Sequence, residues 1–324
     1  MIRTLPYKEP VIIDAYSGVA GNVAALMCTD IGEDIILKNH FLITYSKMLH
    51  APGFNWLYYD DNYKIQENIC EWIEGGELIN KVKQSIQQGY YVHLYLNHYF
   101  LKCSDTYQRA NKFHDCATIF GYDDDKQEFI IGDNYYNGKY RIEKITYEEF
   151  LAARNGAKGY PAFRFRIKQE LKLIDKEILI KLLHSYYYSD VTLNEFEINP
   201  NNIRLKDDEV TCGLEYYNIL KEQVVSFATH KYEIRTFVVL CNHMMMYELI
   251  EKYLRRTRIH FDKEYVRKET KNLIDISNKM KILYIKLSIK FNEEKKERLY
   301  EYICECMEAE KNILEYLIGV FSER

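Results

Sequence analysis

No apolar run in this chain reaches the ~18 residues that a bilayer span requires. The N-terminal stretch "MIRTLPYKEPVIIDAY" has no basic segment leading into a long apolar one, so an exported or membrane-inserted protein is not expected. Basic excess is missing too. The net charge is -4, and without a basic surface neither nucleic acid nor an anionic membrane is an expected partner. Eight cysteines are present (Cys28, Cys70, Cys103, Cys116, Cys212, Cys241, Cys304, Cys306), but their spacing sets up no disulfide framework, which points to a reduced, cytoplasmic chain. There is no internal repeat and no low-complexity tail. With 47% hydrophobic and 28% charged residues, the composition is that of a folded protein with apolar surface to bury.

What is present suits two domains, since 324 residues exceed one ordinary core. Up to about residue 165 both helical and strand periods occur. "GNVAALMCTDIG" reads as a short helix stopping near Gly32, and "NICEWIEGGELINKVKQSIQQGY" as one or two helices ending at Gly89. The runs "YYVHLYLNHYF", "CATIFGYD", "EFIIGD" and "GKYRIEKI" read as successive strands, with "DDDKQ" and "NYYNGK" as turns. Helices followed by an antiparallel sheet give an α+β order. From about 170 onward the period is helical, and Asn292 is placed to cap the last long helix. The predicted division is 1–165 for the α+β domain and 166–324 for an α-helical domain. The 30 tyrosines supply flat surfaces with a polar tip, suited to half-buried packing or to an aromatic ligand pocket.

Chemistry concentrates in residues 110–154. His114 opens an apolar strand, a Gly-Tyr-Asp turn follows, and the next strand ends at Asp133. Antiparallel strands joined by a short turn can set these two side by side, the carboxylate orienting the imidazole. The plain alternative is a strand-end histidine beside an unrelated acidic turn. A nucleophile for such a pair is sought at a helix start, where the dipole and an imidazole lower a thiol pKa. "DAYSGVAGNVAALM", residues 14–27, has that shape but carries no cysteine.

The order of these parts resembles papain-like peptidases, whose bacteriocin-processing branch shows Cys-Gly-x-x-Ala-x-Leu at the helix start. Here residues 20–26 read Ala-Gly-Asn-Val-Ala-Ala-Leu, with Gly21, Ala24 and Leu26 in register and Ala20 in the nucleophile's slot; a slip of one would put Val19 there. With "GYYVHLYLNHYFLKCSDTYQRANKFH", "FGYDDDKQEFIIGD", "ITYEEFLAAR" and "GLEYYNIL" in order, the chain resembles the butirosin acyltransferase family of natural-product biosynthesis, which includes the amide-forming enzyme of closthioamide assembly. The resemblance implies a papain-like domain followed by an α-helical domain covering its cleft. It implies an acyl group moved from the phosphopantetheine arm of an acyl or peptidyl carrier protein, through a cysteinyl acyl-enzyme, to a small amine. His114 and Asp133 match the catalytic histidine and its orienting acid. Backbone donors at the helix start, with Ser17, Gly21 and Asn22, would face the developing oxyanion. No permanently bound cofactor and no metal are expected. Retention of His114 and Asp133 beside Ala20 suggests that alanine replaces a cysteine and that this form is inactive. The rivals are a non-catalytic protein that holds carrier or product, and a peptidase or thioesterase using water.

Other candidates carry less. Cys103 falls in a loop, and Cys116 lies two residues along a strand from His114. Cys304 and Cys306 point in different directions from one helix without a second ligand pair, against zinc. His243 and Glu248 are five apart, poor spacing for a shared helical metal site. The basic cluster "YLRRTR" at 253–258 reads as a solvated helix end or a contact for an acidic carrier protein.

Overall fold

A computed structural model describes residues 2–47, 50–54, 63–69, 75–113, 116–157, 159–190, 210–227 and 234–322. In chain order the elements are β1 (Ile2–Thr4), α1 (Ser17–Leu26), α2 (Gly32–His40), β2 (Ile43–Ser46), β3 (Ala51–Phe54), β4 (Lys64–Asn68), α3 (Gly75–Gln87), β5 (Tyr91–Leu94), β6 (Ala117–Asp123), β7 (Glu128–Tyr136) and β8 (Lys139–Thr146). There follow α4 (Tyr147–Asn155), β9 (Ala162–Ile167), α5 (Lys176–Tyr188), β10 (Val210–Cys212), α6 (Tyr216–Val225), α7 (Arg235–Arg256), α8 (Lys263–Ile289) and α9 (Glu293–Ser322). The protein is α+β with antiparallel sheets, and no helix among the described residues is long and apolar enough to cross a membrane.

Two compact units form, but not at the single predicted boundary. Residues 1–32 and 61–172 make one, and residues 33–60 and 173–324 the other. The cause is a strand exchange that local sequence does not reveal: β2 pairs with β3 and, antiparallel, with the distant β10, which draws residues 33–60 into the helical unit.

The first unit is a sheet in the order β4-β9-β5-β6-β7-β8, with β1 added to β6. The hairpins β6–β7 and β7–β8 follow from their polar turns, where Asn137 and Gly138 both take positive φ, as a tight hairpin requires. Where "YYVHLYLNHYF" reads as one long strand, pairing stops at Leu94 and the chain makes a single 3₁₀ turn over His98–Phe100. Asn97 causes the change: its Oδ1 accepts from the N–H groups of Tyr99 and Lys112 at 3.1 and 3.3 Å. One face of the sheet buries Val92, Ile119, Ile131 and Tyr135 against Leu78 and Val82 of α3 and Phe150 and Ala153 of α4. The second unit is a helical assembly around β10-β2-β3. Asn292 caps α9 as predicted, its Oδ1 accepting from Lys295 N–H at 2.8 Å.

Candidate active site

Which face of the sheet each side chain takes decides the geometry around α1. His93 of β5 is paired with Thr118 of β6, and Thr118 with Gly132 of β7, so these three share a face. Helix α1 lies on it, close enough that a Cβ at Gly21 would stand 1.9 Å from Thr118 Oγ1 and 3.0 Å from His93 Nε2. Asn134, two residues past Gly132, is on the same side, and its Nδ2 donates to the Asp14 carbonyl at 3.2 Å. That bond ties the end of β7 to the segment feeding α1.

Ala20 sits in the first turn of α1 with no exposed surface, and Ser17, Gly21 and Asn22 are buried with it. Tyr16 occupies the N-cap position and its side chain caps nothing. The N–H groups of Ser17, Gly18 and Val19 therefore have no side-chain acceptor from the cap residue, while that of Ala20 donates to the Tyr16 carbonyl at 2.8 Å. Ser17 is one turn ahead of Gly21 and so on the same side of the helix. Three side-chain atoms of this layer, Ser17 Oγ, His93 Nε2 and Asn134 Oδ1, are buried with no hydrogen-bond partner among the described residues, while the Thr118 hydroxyl is engaged by Tyr7 and Tyr140. Such a concentration is unusual for structural packing alone.

Asp133 behaves differently from the expectation. It alternates onto the opposite face, between Ile131 and Tyr135, where its Oδ2 lies 3.0 Å from His98 Nε2 and its Oδ1 accepts from Asn134 N–H. His98 Nδ1 in turn lies 3.2 Å from Ser104 Oγ, and the ring stacks on Tyr135 at 5.3 Å. His98 and Asp133 are both buried, so this chain fastens the loop after β5 to the sheet. His114, the expected partner, lies outside the described residues. Four residues carry no local mark in the sequence: His93, Thr118 and Asn134 on the α1 side of the sheet, and His98 on the other. Strand alternation places His93 with Tyr91 on one face, but nothing local marks His98, which stands 35 positions before Asp133.

Burial holds His93 well below its ordinary pKa, and Lys64 adds to the effect. Folded His93 resists protonation while the unfolded chain titrates near the usual 6.5. Below that pH the unfolded state binds more protons, so stability present at pH 8 declines as pH falls through 6. Urea midpoints at the two pH values should show this loss in the parent and a smaller loss in His93→Gln; equal losses would clear His93 of the effect.

The remaining candidates take structural roles. Burial pushes the Cys103 thiol up to about 12, making it a poor nucleophile at neutral pH, and Cys116 is buried. Cys306 is enclosed, its Sγ 3.3 Å from the Tyr217 hydroxyl. His243 is engaged not by Glu248 but by Glu310, at 2.7 Å. In the 253–258 cluster Arg256 is ion-paired with Asp34 and Arg255 with Glu251. Compared with known proteins, the chain matches no protein-family model and no curated relative.

Proposed function

We propose that this chain is a papain-like acyltransferase scaffold of the butirosin type, with alanine where the nucleophile's sulfur belongs. The observation that carries the reading is a buried helix laid on an antiparallel sheet, with residue 20 in its first turn and the end of β7 tied to its entry through Asn134 and Asp14. In the cysteine form, the thiolate at position 20 attacks the thioester carbonyl of an acyl group on a carrier's phosphopantetheine arm. The helix start stabilises that thiolate and the oxyanion. The carbon–sulfur bond to the arm breaks, and the departing thiolate takes the proton that His114 removed from the cysteine. A small amine then attacks the acyl-enzyme, forms the amide and returns the thiol. Because Asp133 is already held by His98, orientation of an imidazole from the α1 side comes from the Asn134 amide in this scheme. The setting is nonribosomal natural-product assembly in the reducing cytoplasm.

A second reading, a non-catalytic holder of carrier or product, is favoured by two observations: Ala20 is fully enclosed, and Asp133 is already partnered. The deciding experiment mixes Ala20→Cys and the parent with an acylated carrier protein and candidate amines, following intact masses. Acyl transfer predicts a transient mass gain on Ala20→Cys alone, then amide. Discharge to the free acid at a rate indifferent to the amine would make it a thioesterase. Carrier binding without mass gain in either form would make it a holder.

A further inference from the structure

We propose that the C-terminal half of α8 and the start of α9 form a docking face for an acidic, helix-bearing protein, which on the proposed function is the acyl carrier protein. The charge distribution is the first support. The chain as a whole carries -4, yet residues 276–298 hold seven lysines and arginines against three glutamates, and 276–291 contain four lysines and no carboxylate.

The second support is shape. A groove of about 400 Å³ runs between the two helices, lined by Lys279, Ile282, Lys286, Lys295, Arg298 and Tyr302, with Glu294 its one carboxylate. Lys279, Lys286 and Lys295 have no ion-pair partner among the described residues, whereas Lys296 is spent on Glu293. Arg298 donates to the Tyr302 hydroxyl from two of its nitrogens and makes no ion pair among the described residues, with Glu294 and Glu301 near enough to act on its charge. The contrast with 253–258 is direct: there Arg255 and Arg256 are ion-paired with Glu251 and Asp34, so two of the three arginines in the basic cluster most visible in the sequence are already taken.

The third support is an apolar stripe. Ile282, Ile285 and Ile289 are 49%, 39% and 81% exposed at i, i+3 and i+7 of one helix, and a stripe at that spacing is ordinarily buried against a neighbour. Lysines flanking exposed isoleucines fit a partner that offers carboxylates around a small apolar patch, the charge steering the encounter and the apolar contact retaining it. A concave groove with Glu294 among its lysines, and with Glu293 and Glu297 adjoining it in sequence, suits a protein helix of patterned charge better than a uniformly anionic bilayer.

The test uses the apo form of an acidic acyl carrier protein, which lacks the phosphopantetheine arm, so that binding is separated from acyl transfer. Titration calorimetry should show binding that weakens with salt. Lys279→Glu combined with Lys286→Glu should weaken it at least about tenfold and flatten the salt dependence, and Ile285→Ser should weaken it without changing that dependence. Far-UV circular dichroism checks that both variants fold. Unchanged affinity in the charge-reversed variant overturns the docking face even if Ala20→Cys transfers acyl groups. Binding lost by that variant while Ala20→Cys stays silent keeps the face and removes the catalytic reading. Sedimentation with phosphatidylglycerol vesicles, in the absence of any carrier binding, would reassign the face to a membrane surface and sink the proposal.

Discussion

Glu310→Ala is expected to cost the helical unit about 3–5 kcal/mol, the range for breaking a buried charged network by removing one partner. Glu310 is fully buried in α9. Its Oε1 lies 2.7 Å from His243 Nε2 and accepts from the Tyr247 hydroxyl at 2.9 Å; its Oε2 accepts from Tyr217 at 2.8 Å and from Tyr186 at 3.4 Å. One carboxylate thereby joins α5, α6, α7 and α9. The rings pack as tightly as the polar atoms bond: Tyr186 stacks on His243 at 4.4 Å, and Phe41 covers the imidazole at 4.9 Å. Removing the carboxylate takes the acceptor away from three buried hydroxyls and an imidazole, leaving only Tyr217 with another polar neighbour among these contacts, Cys306 Sγ. Tyr247→Phe alone removes one of four donors and should cost about 1 kcal/mol. Both values come from urea unfolding followed by the helical signal. A Glu310→Ala midpoint equal to the parent's would mean that the carboxylate does not hold these helices together.

What the sequence made legible was local. The turns at "DDDKQ" and "NYYNGK" marked β6, β7 and β8, because hairpin chemistry is written in adjacent residues. The Asn292 cap was readable for the same reason. Period identifies which side of an element is buried but not what covers it, and that is where the reading ran short. Asp133 reads as the end of a strand, whereas β7 runs on to Tyr136; its partner His98 was not visible, because the pair forms only when a loop 35 residues upstream folds against the sheet. His243 looked toward Glu248 in its own helix and found Glu310, 67 positions away. Residues 33–60 read as part of the first domain because β10, which claims β2, is separated from it by more than 160 residues. Near α1, the helix-start pattern marked residues 17–22. It could not say that Asn134 rather than Asp133 shares their side of the sheet, which depends on a one-residue phase in β7.

Gly21→Ala is expected to destabilise the first unit by about 1–2 kcal/mol, although alanine is the better helix former by about 1 kcal/mol. The added methyl would meet Thr118 Oγ1 at 1.9 Å, and Thr118 Cβ and His93 Nε2 at 3.0 Å. Thr118 is fully buried on a central strand and cannot swing out of the way, so α1 must lift or the strand must yield, a typical overpacking cost of 1–3 kcal/mol. Thr118→Ala removes the closest atom. In combination with Gly21→Ala it should recover part of the loss, giving a coupling energy of about 0.5–2 kcal/mol in a double-mutant cycle, as for residues in contact. If Gly21→Ala instead raises the unfolding midpoint by its helix propensity alone, α1 is not pressed on the sheet at this point. Function is at stake in the same displacement. A helix lifted at residue 21 carries residue 20 away from the strand side chains beneath it, and misplacement by about 1 Å is enough to cost a catalytic group a hundredfold. In the Ala20→Cys background, Gly21→Ala should therefore slow acylation of Cys at position 20 much more than it lowers stability, and the Thr118→Ala partner should return part of the rate.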